Sequence, residues 1–262
     1  MKPIWTGAIG FGLVSIPVKL YSAVQGSELD LTMLDKKDHA RIHYKRVSEI
    51  TGKEVPWEDI VKGYKEGERY IVLDDKDFEA ASPEKNKRIE LFQFCKESEI
   101  DTIYYETPYF MEPDKGGAKP YALLREALQE AEMSGVGSFV MRNREHLVAL
   151  RPFENVLILD QIRFAEEIRS HSDLDLPTSA KVGIKPTEVK MALQLIKQMT
   201  GPFDITAYKD TYTDALLKII QKKAKGQKIV TPKLRVVHKQ TTDLMEQLKA
   251  SLAGNAKKKK AS

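Results

Sequence analysis

The chain has 262 residues, 42% of them hydrophobic and 31% charged, with a formal net charge of +4. That is enough apolar material to bury one large core, or one core with a helical appendage. No apolar run approaches the roughly 20 residues needed to cross a bilayer, the first residues lack a signal-peptide pattern, and Cys95 is the only cysteine. A membrane span, a disulfide framework and a cysteine-based metal cluster are thereby excluded, and a soluble, cytoplasmic protein is expected.

Charge is unevenly placed along the chain. Residues 218–262 carry thirteen Lys/Arg against two acids, Asp243 and Glu246, which leaves 29 basic and 36 acidic residues for positions 1–217. A mildly acidic body with a strongly basic end must gather any polyanion-binding charge on one surface.

The first element is Trp5-Thr-Gly-Ala-Ile-Gly-Phe-Gly-Leu-Val-Ser-Ile-Pro-Val-Lys-Leu-Tyr21. Ile9, Phe11 and Leu13 alternate with glycines; Ile16, Val18 and Leu20 alternate with Pro17 and Lys19. The slip of one residue at Val14-Ser15 predicts a bulge or bend in one strand of a coiled sheet or barrel. Gly7-x-x-Gly10-x-Gly12 lacks the spacing of a dinucleotide-binding loop, and no helix follows it.

A basic stretch comes next. Lys36, Lys37, Arg41, Lys45, Arg46 and Lys53 face only Asp38 and Glu49, with His39, His43 and Tyr44 as further donors. Read as extended chain, residues 39, 41, 43 and 45 share one face. That face suits phosphates and suits a plain solvated strand equally well. His39 and His43 have no suitable third ligand nearby, so no metal site is expected.

Short strands follow at Arg69–Leu73, Arg88–Phe94, a tyrosine-rich stretch over 102–113, Phe139–Arg142, His146–Leu150 and Asn155–Leu159, the last three as a meander. A single helix is predicted from Pro120 to Met133, with Leu124, Leu128 and Ala131 on one stripe and Gly135 as its stop. Such strands favour an α+β, mainly β, barrel over a doubly wound sheet. Arg142 and Arg144 lie two apart at a hairpin turn, where both can project from one side of a barrel rim.

Beyond Ile168, Ser170–Pro177 reads as a linker. A helix N-capped by Thr187 should turn Val189, Leu193, Ile196 and Met199 inward and stop at Gly201. A second helix, Thr211 to Lys225, carries Tyr212, Ala215, Leu216 and Ile219 on its apolar side. Lys228–Lys239 is basic, Asp243–Leu252 offers a short helix with Leu244, Leu248 and Leu252 every four residues, and Lys257–Lys260 closes the chain. No nucleophile–base order, phosphate-loop lysine or paired-carboxylate setting appears, so neither an enzyme nor a cofactor is expected.

The opening run resembles the first strand of bacterial Ku, the DNA-end-binding protein of non-homologous end joining. The likeness extends through His39-x-Arg41-Ile-x-Tyr44-Lys45-Arg46, Gly52-Lys53-Glu54-Val55 and Asp59-Ile-Val-Lys62-Gly-Tyr64, then Gly201-Pro-Phe-Asp204 and Tyr208-x-Asp210-x-Tyr212, covering about residues 5–225. Many relatives carry a Cys-x-x-Cys pair where this chain has Ser48-Glu-Ile-Thr51, so a thiolate metal site is absent and Ser/Thr hydrogen bonds must hold that turn.

The resemblance implies a Ku-type β-barrel over 1–168 with a bridge insert at about 22–69 arching over DNA. It also implies a linker and helical dimerisation arm over 169–225 and a basic segment over 226–262. DNA contacts would come from Lys36, Lys37, His39, Arg41, Lys45, Arg46, Lys53, Arg142 and Arg144. Leu193, Ile196, Met199, Phe203, Tyr212, Leu216 and Ile219 would serve homodimerisation, and Leu244, Leu248 and Leu252 would dock a partner. It implies a ring-shaped, nucleoid-associated homodimer that threads onto double-stranded DNA ends and recruits an ATP-dependent DNA ligase, without catalysis, cofactor or metal. A general basic-tail nucleic-acid binder and a metal-dependent nuclease are the alternatives.

Overall fold

A computed structural model describes residues 1–81, 87–178 and 181–228, together with 248, 249 and 251. The chain divides into two compact units: Met1–Gly26 with Asp30–Ser170, and Ser27–Leu29 with the residues from His171 on.

The first unit holds β1 (Trp5–Phe11), β2 (Val14–Ser22), β3 (Lys62–Glu66), β4 (Arg69–Leu73), α1 (Asp75–Ala81), β5 (Arg88–Lys96), β6 (Tyr105–Pro113), α2 (Ala118–Ala131), β7 (Met133–Met141), β8 (Arg144–Phe153) and β9 (Val156–Ile162). Seven strands close a barrel in the order β1-β2-β6-β9-β8-β7-β5. Every neighbouring pair is antiparallel except β1 and β5, which run parallel and seal it. The meander expected from the sequence is β7-β8-β9.

Alternation sets the core. Ile9 on β1, Ile16, Val18 and Leu20 on β2, Ile89 and Leu91 on β5, Phe139 on β7, and Leu157 and Leu159 on β9 are all buried in one cluster. Alternate side chains of each strand thus fill the interior, as in small closed barrels. Phe92 points the other way and is exposed, and the register shift between Leu91 and Gln93 returns Phe94 to the core side, opposite Gly135, where its ring meets Phe11 edge-on at 6.3 Å. Trp5 closes part of this core. Its Nε1 donates to the Val140 carbonyl at 3.2 Å, and its ring meets Phe139 edge-on at 5.6 Å.

Two sequence expectations about β1 and α2 are corrected. The opening run is a hairpin of two strands, paired from Trp5↔Leu20 to Phe11↔Val14, and not one bulged strand. Gly12 takes φ +55 in the turn, a conformation that other residues adopt only under strain. Gly7 has a different reason to lack a side chain, since a Cβ there would lie 2.1 Å from the Lys87 carbonyl oxygen across the β1–β5 approach. The helix also ends earlier than expected. Glu132 (φ 54, ψ 41) is its left-handed cap, while Gly135 lies inside β7.

α2 packs its Tyr121, Leu124 and Leu128 into the barrel core. The Tyr121 hydroxyl donates to the Met111 carbonyl at 2.6 Å and accepts from the Leu157 N–H at 2.7 Å, tying the helix to β6 and β9.

β3 and β4 form a separate two-stranded sheet, with Tyr64↔Ile71 at its centre. Arg69–Leu73 is therefore a strand, as expected, but it lies outside the barrel, and all of β3–β4 except Leu73 is exposed. The segment between β2 and β5 consequently runs over 23–87. It extends past the expected end at about 69 because β4 pairs with β3 and α1 follows directly.

In the second unit, α3 (Pro186–Met199) and α4 (Thr211–Ala224) are the two long helices among the described residues. The N-cap of α3 is Lys185, not Thr187. Pro186 occupies the first helical position, where its missing N–H is harmless, and the Glu188 carboxylate accepts the Lys185 N–H at 2.7 Å. Asp210 caps α4 by accepting from the Tyr212 and Thr213 N–H groups at 3.0 and 3.1 Å. Those bonds, with that from the Thr213 hydroxyl, hold the Asp210 carboxyl below its ordinary value.

Candidate nucleic-acid interface

The basic stretch of the insert folds as two tight loops rather than one extended strand. In the first, Leu34 pairs with Arg41, the Asp35 N–H donates to the Ala40 carbonyl at 2.8 Å, and the Ile42 N–H donates to the Met33 carbonyl at 3.0 Å. The side chains of Asp35 and Asp38 accept from the Lys37 and Ala40 N–H groups at 2.7 and 2.9 Å. These are the short local bonds by which aspartates build turns. They place Lys36 and Lys37 on the turn and force His39 to φ 59. The expected common face of residues 39, 41, 43 and 45 is thus broken at His39, and only 41, 43 and 45 lie on the extended part.

The second loop pairs Val47 with Glu54. The Ser48 N–H donates to the Lys53 carbonyl at 2.9 Å, the Val55 N–H donates to the Arg46 carbonyl at 2.8 Å, and Gly52 takes φ +64. The Ser48 and Thr51 hydroxyls accept from the Thr51 and Lys53 N–H groups at 3.4 and 3.3 Å. Backbone bonds therefore share the work with the Ser/Thr hydroxyls.

All seven candidate contacts of this stretch are exposed: Lys36, Lys37, His39, Arg41, Lys45, Arg46 and Lys53. They are not equally free. The Lys45 ammonium is held by the Glu54 carboxylate at 2.6 Å, and the Arg46 guanidinium lies over the Trp57 ring, 4.5 Å from its centroid. Lys36, Lys37, Arg41 and Lys53 have no ion pair among the described residues.

The β7–β8 hairpin supplies the other two cations. Met141 pairs with Arg144, and Arg142 and Asn143 both take positive φ (54 and 65), the two-residue turn whose twist suits a hairpin. Arg142, Asn143 and Arg144 line a cavity of about 380 Å³ with Lys62 of β3 and with Asp75, Phe78, Glu79 and Ala81 of α1. Arg142 and Arg144 thus share a cavity with Lys62, whose ammonium lies 4.5 Å over the Phe78 ring. Lys62, which lines this cavity, and Trp57, beneath the Arg46 guanidinium, escape sequence reasoning. The only signals are an aromatic directly after Pro56 within a charged run, and a lysine beginning an exposed strand.

The dimerisation candidates are exposed on this single chain rather than turned inward. On α3, Val189, Leu193, Ile196 and Met199 keep from 47% to 71% of their surface. Phe203 stacks on Tyr208 with centroids 5.8 Å apart, both are exposed, and Tyr212 and Ile219 of α4 are exposed with Leu216 half-buried. Neither helix can hide these side chains alone. Of the docking candidates, Leu244 and Leu252 lie outside the described residues, while Leu248 is helical and half-buried. Among the described residues no group of three or more His, Cys, Asp or Glu is placed to hold a metal ion. No helix among them is long and apolar enough to cross a membrane.

A closed barrel that interrupts itself between two strands with a long, solvent-exposed, cation-studded insert defines a class of scaffold. The family model of the Ku70/Ku80 beta-barrel domain matches residues 10–191, well over half of the chain. Similar proteins named Non-homologous end joining protein Ku come from Coxiella burnetii (36% identical, covering 99% of this chain and 97% of that one), Archaeoglobus fulgidus (39%, 96% and 98%) and Pseudomonas aeruginosa (37%, 98% and 91%). This chain belongs to the Ku family.

Proposed function

We propose that this protein binds the ends of double-stranded DNA without regard to sequence, in the service of non-homologous end joining. Its relatives over nearly the full length carry that process in their names. The observation that carries the reading is the set of exposed cations on the turns of the insert that have no ion pair among the described residues. Charged side chains held on tight loops can meet phosphates without presenting anything to base edges.

Two copies would associate through the exposed apolar faces of α3 and α4. Together, two barrels and two inserts would close a ring that duplex enters only from a free end. The ring would protect the end and present it to an ATP-dependent DNA ligase, with the basic C-terminal segment as the recruiting element. On this reading the protein performs no chemistry itself; it works by enclosure and by phosphate contact in the cytoplasm, at the nucleoid.

The test is binding to one duplex in two forms. Linear DNA should be bound tightly and with steep salt dependence, and the same sequence as a covalently closed circle should be bound little. Equal affinity for both forms would sink the threading mechanism. Truncation at residue 225 separates the ring from a tail-driven binder, since it should weaken linear-DNA binding only in part.

A further inference from the structure

The two tryptophans of this chain have opposite fates. Trp5 is fixed by a hydrogen bond and an edge-on ring inside the barrel wall. Trp57 sits in the insert with 71% of its surface exposed and meets no other aromatic ring among the described residues. It is nevertheless well positioned. Pro56 (φ −58, ψ 151) introduces the short 3-10 turn Trp57–Asp59, and the Val55–Arg46 backbone bond at 2.8 Å sets that turn beside Arg46. The Arg46 guanidinium then covers one face of the indole at 4.5 Å. Most of the ring is left to solvent, on a segment whose sequence also carries Lys45 and Lys53.

An aromatic face held by a cation within a basic loop is the pairing used to bind unpaired nucleotides: bases stack on the ring, and the charge tracks the backbone. Phosphate contact to duplex does not need such a ring. Within a duplex, moreover, each base face is covered by its neighbours, so a protein ring can reach one only at a terminus or in a single-stranded overhang. We infer that Trp57, backed by Arg46, is a stacking site for an unpaired base of a single-stranded overhang at the DNA end. This rests on the end-binding reading above and adds to it a contact that distinguishes one kind of end from another.

The test uses the full chain and its Trp57→Leu and Trp57→Phe variants, binding one duplex prepared either blunt or with a short single-stranded thymidine overhang. The native protein should prefer the overhang. Trp57→Leu should lose that preference, by about tenfold, while its blunt-end affinity and thermal midpoint stay unchanged, and Trp57→Phe should keep part of it. Intrinsic fluorescence should be quenched by a thymidine oligonucleotide in the native protein and not in Trp57→Leu, where only Trp5 remains. Equal losses on both substrates, or no loss on either, would overturn the inference. So would a change in sedimentation of Trp57→Leu without DNA, which would assign the ring to a protein contact. Failure of the end-binding reading itself shows differently, as equal binding of the native protein to linear and circular duplex.

Discussion

The barrel and the insert of the first unit are built on opposite principles. In the barrel, alternation buries one side chain in two, and order comes from a shared apolar interior in which Ile9, Val18, Leu20, Ile89, Leu157 and Leu159 are fully enclosed. In the insert almost every side chain is exposed, and order comes from bonds between residues two to eleven apart, such as those of Asp35, Asp38, Ser48, Gly52 and the β3–β4 pair. One region can therefore lose charge without losing shape, and the other can lose a methyl group only at the expense of the fold. This division of labour leaves the insert free to carry cations that a packed core would reject.

Substitutions in the barrel should have the largest effects. Phe139 is 2% exposed and wedged between Trp5 and His146. Phe139→Ala should lower stability by about 3–5 kcal/mol, seen as a drop in thermal midpoint, with DNA binding falling only as folded protein disappears. Next comes Tyr121→Phe, which leaves the Met111 carbonyl and the Leu157 N–H without their partner in a buried setting. That should cost about 2 kcal/mol in urea unfolding. A neutral result would show that water reaches these groups and that α2 is less tightly joined than its hydrogen bonds imply.

The insert should respond the other way. Arg41→Glu with Lys53→Glu should leave unfolding within about 0.5 kcal/mol of the native chain. The same pair should weaken linear-duplex binding and reduce the salt slope by about one unit for each phosphate that is no longer neutralised. Lys45→Ala should do less harm than Arg41→Ala, because Glu54 already holds the Lys45 ammonium at 2.6 Å. Equal effects would mean that DNA displaces Glu54 at little cost.

The same contrast explains what can be read from the sequence. Barrel strands announce themselves because a period of two survives in the residues, and the apolar cluster on β5, β7, β8 and β9 is legible for that reason. The β1–β2 hairpin reads as one strand because Leu13, an apolar residue fully exposed in the turn, prolongs the alternation across Gly12. The cap of α3 is expected two residues late because Thr187 outranks Lys185 as a capping residue, although Pro186 marks the true first turn. In the insert no period exists to be read. Asp35 and Asp38 look like plain charges when their work is to fold the backbone, and the position of Arg46 over Trp57 follows from a loop closure that no spacing rule encodes.

At Asp160 the barrel relies on an ion pair as the insert does, and the expected effect is the smallest. Asp160 of β9 is only 5% exposed, on the strand face opposite Leu157 and Leu159, with its carboxylate 2.7 Å from Arg151 Nε, while Glu97 approaches the same nitrogen at 3.7 Å. Burial raises the Asp160 carboxyl above the ordinary 3.8, against the opposing pull of Arg151. A raised value in the folded state means that the native protein holds this proton more tightly than the unfolded chain does. The stability it contributes is complete below pH 3.8 and is lost as pH rises through the folded value. Asp160→Asn cannot ionise, so relative to the native chain it should gain ground as pH is raised from about 4 towards 7 in urea unfolding. If the gap between the two proteins stays flat across that range, Arg151 fully offsets the burial, and the pair is as neutral to the barrel as the exposed Lys45–Glu54 pair is to the insert.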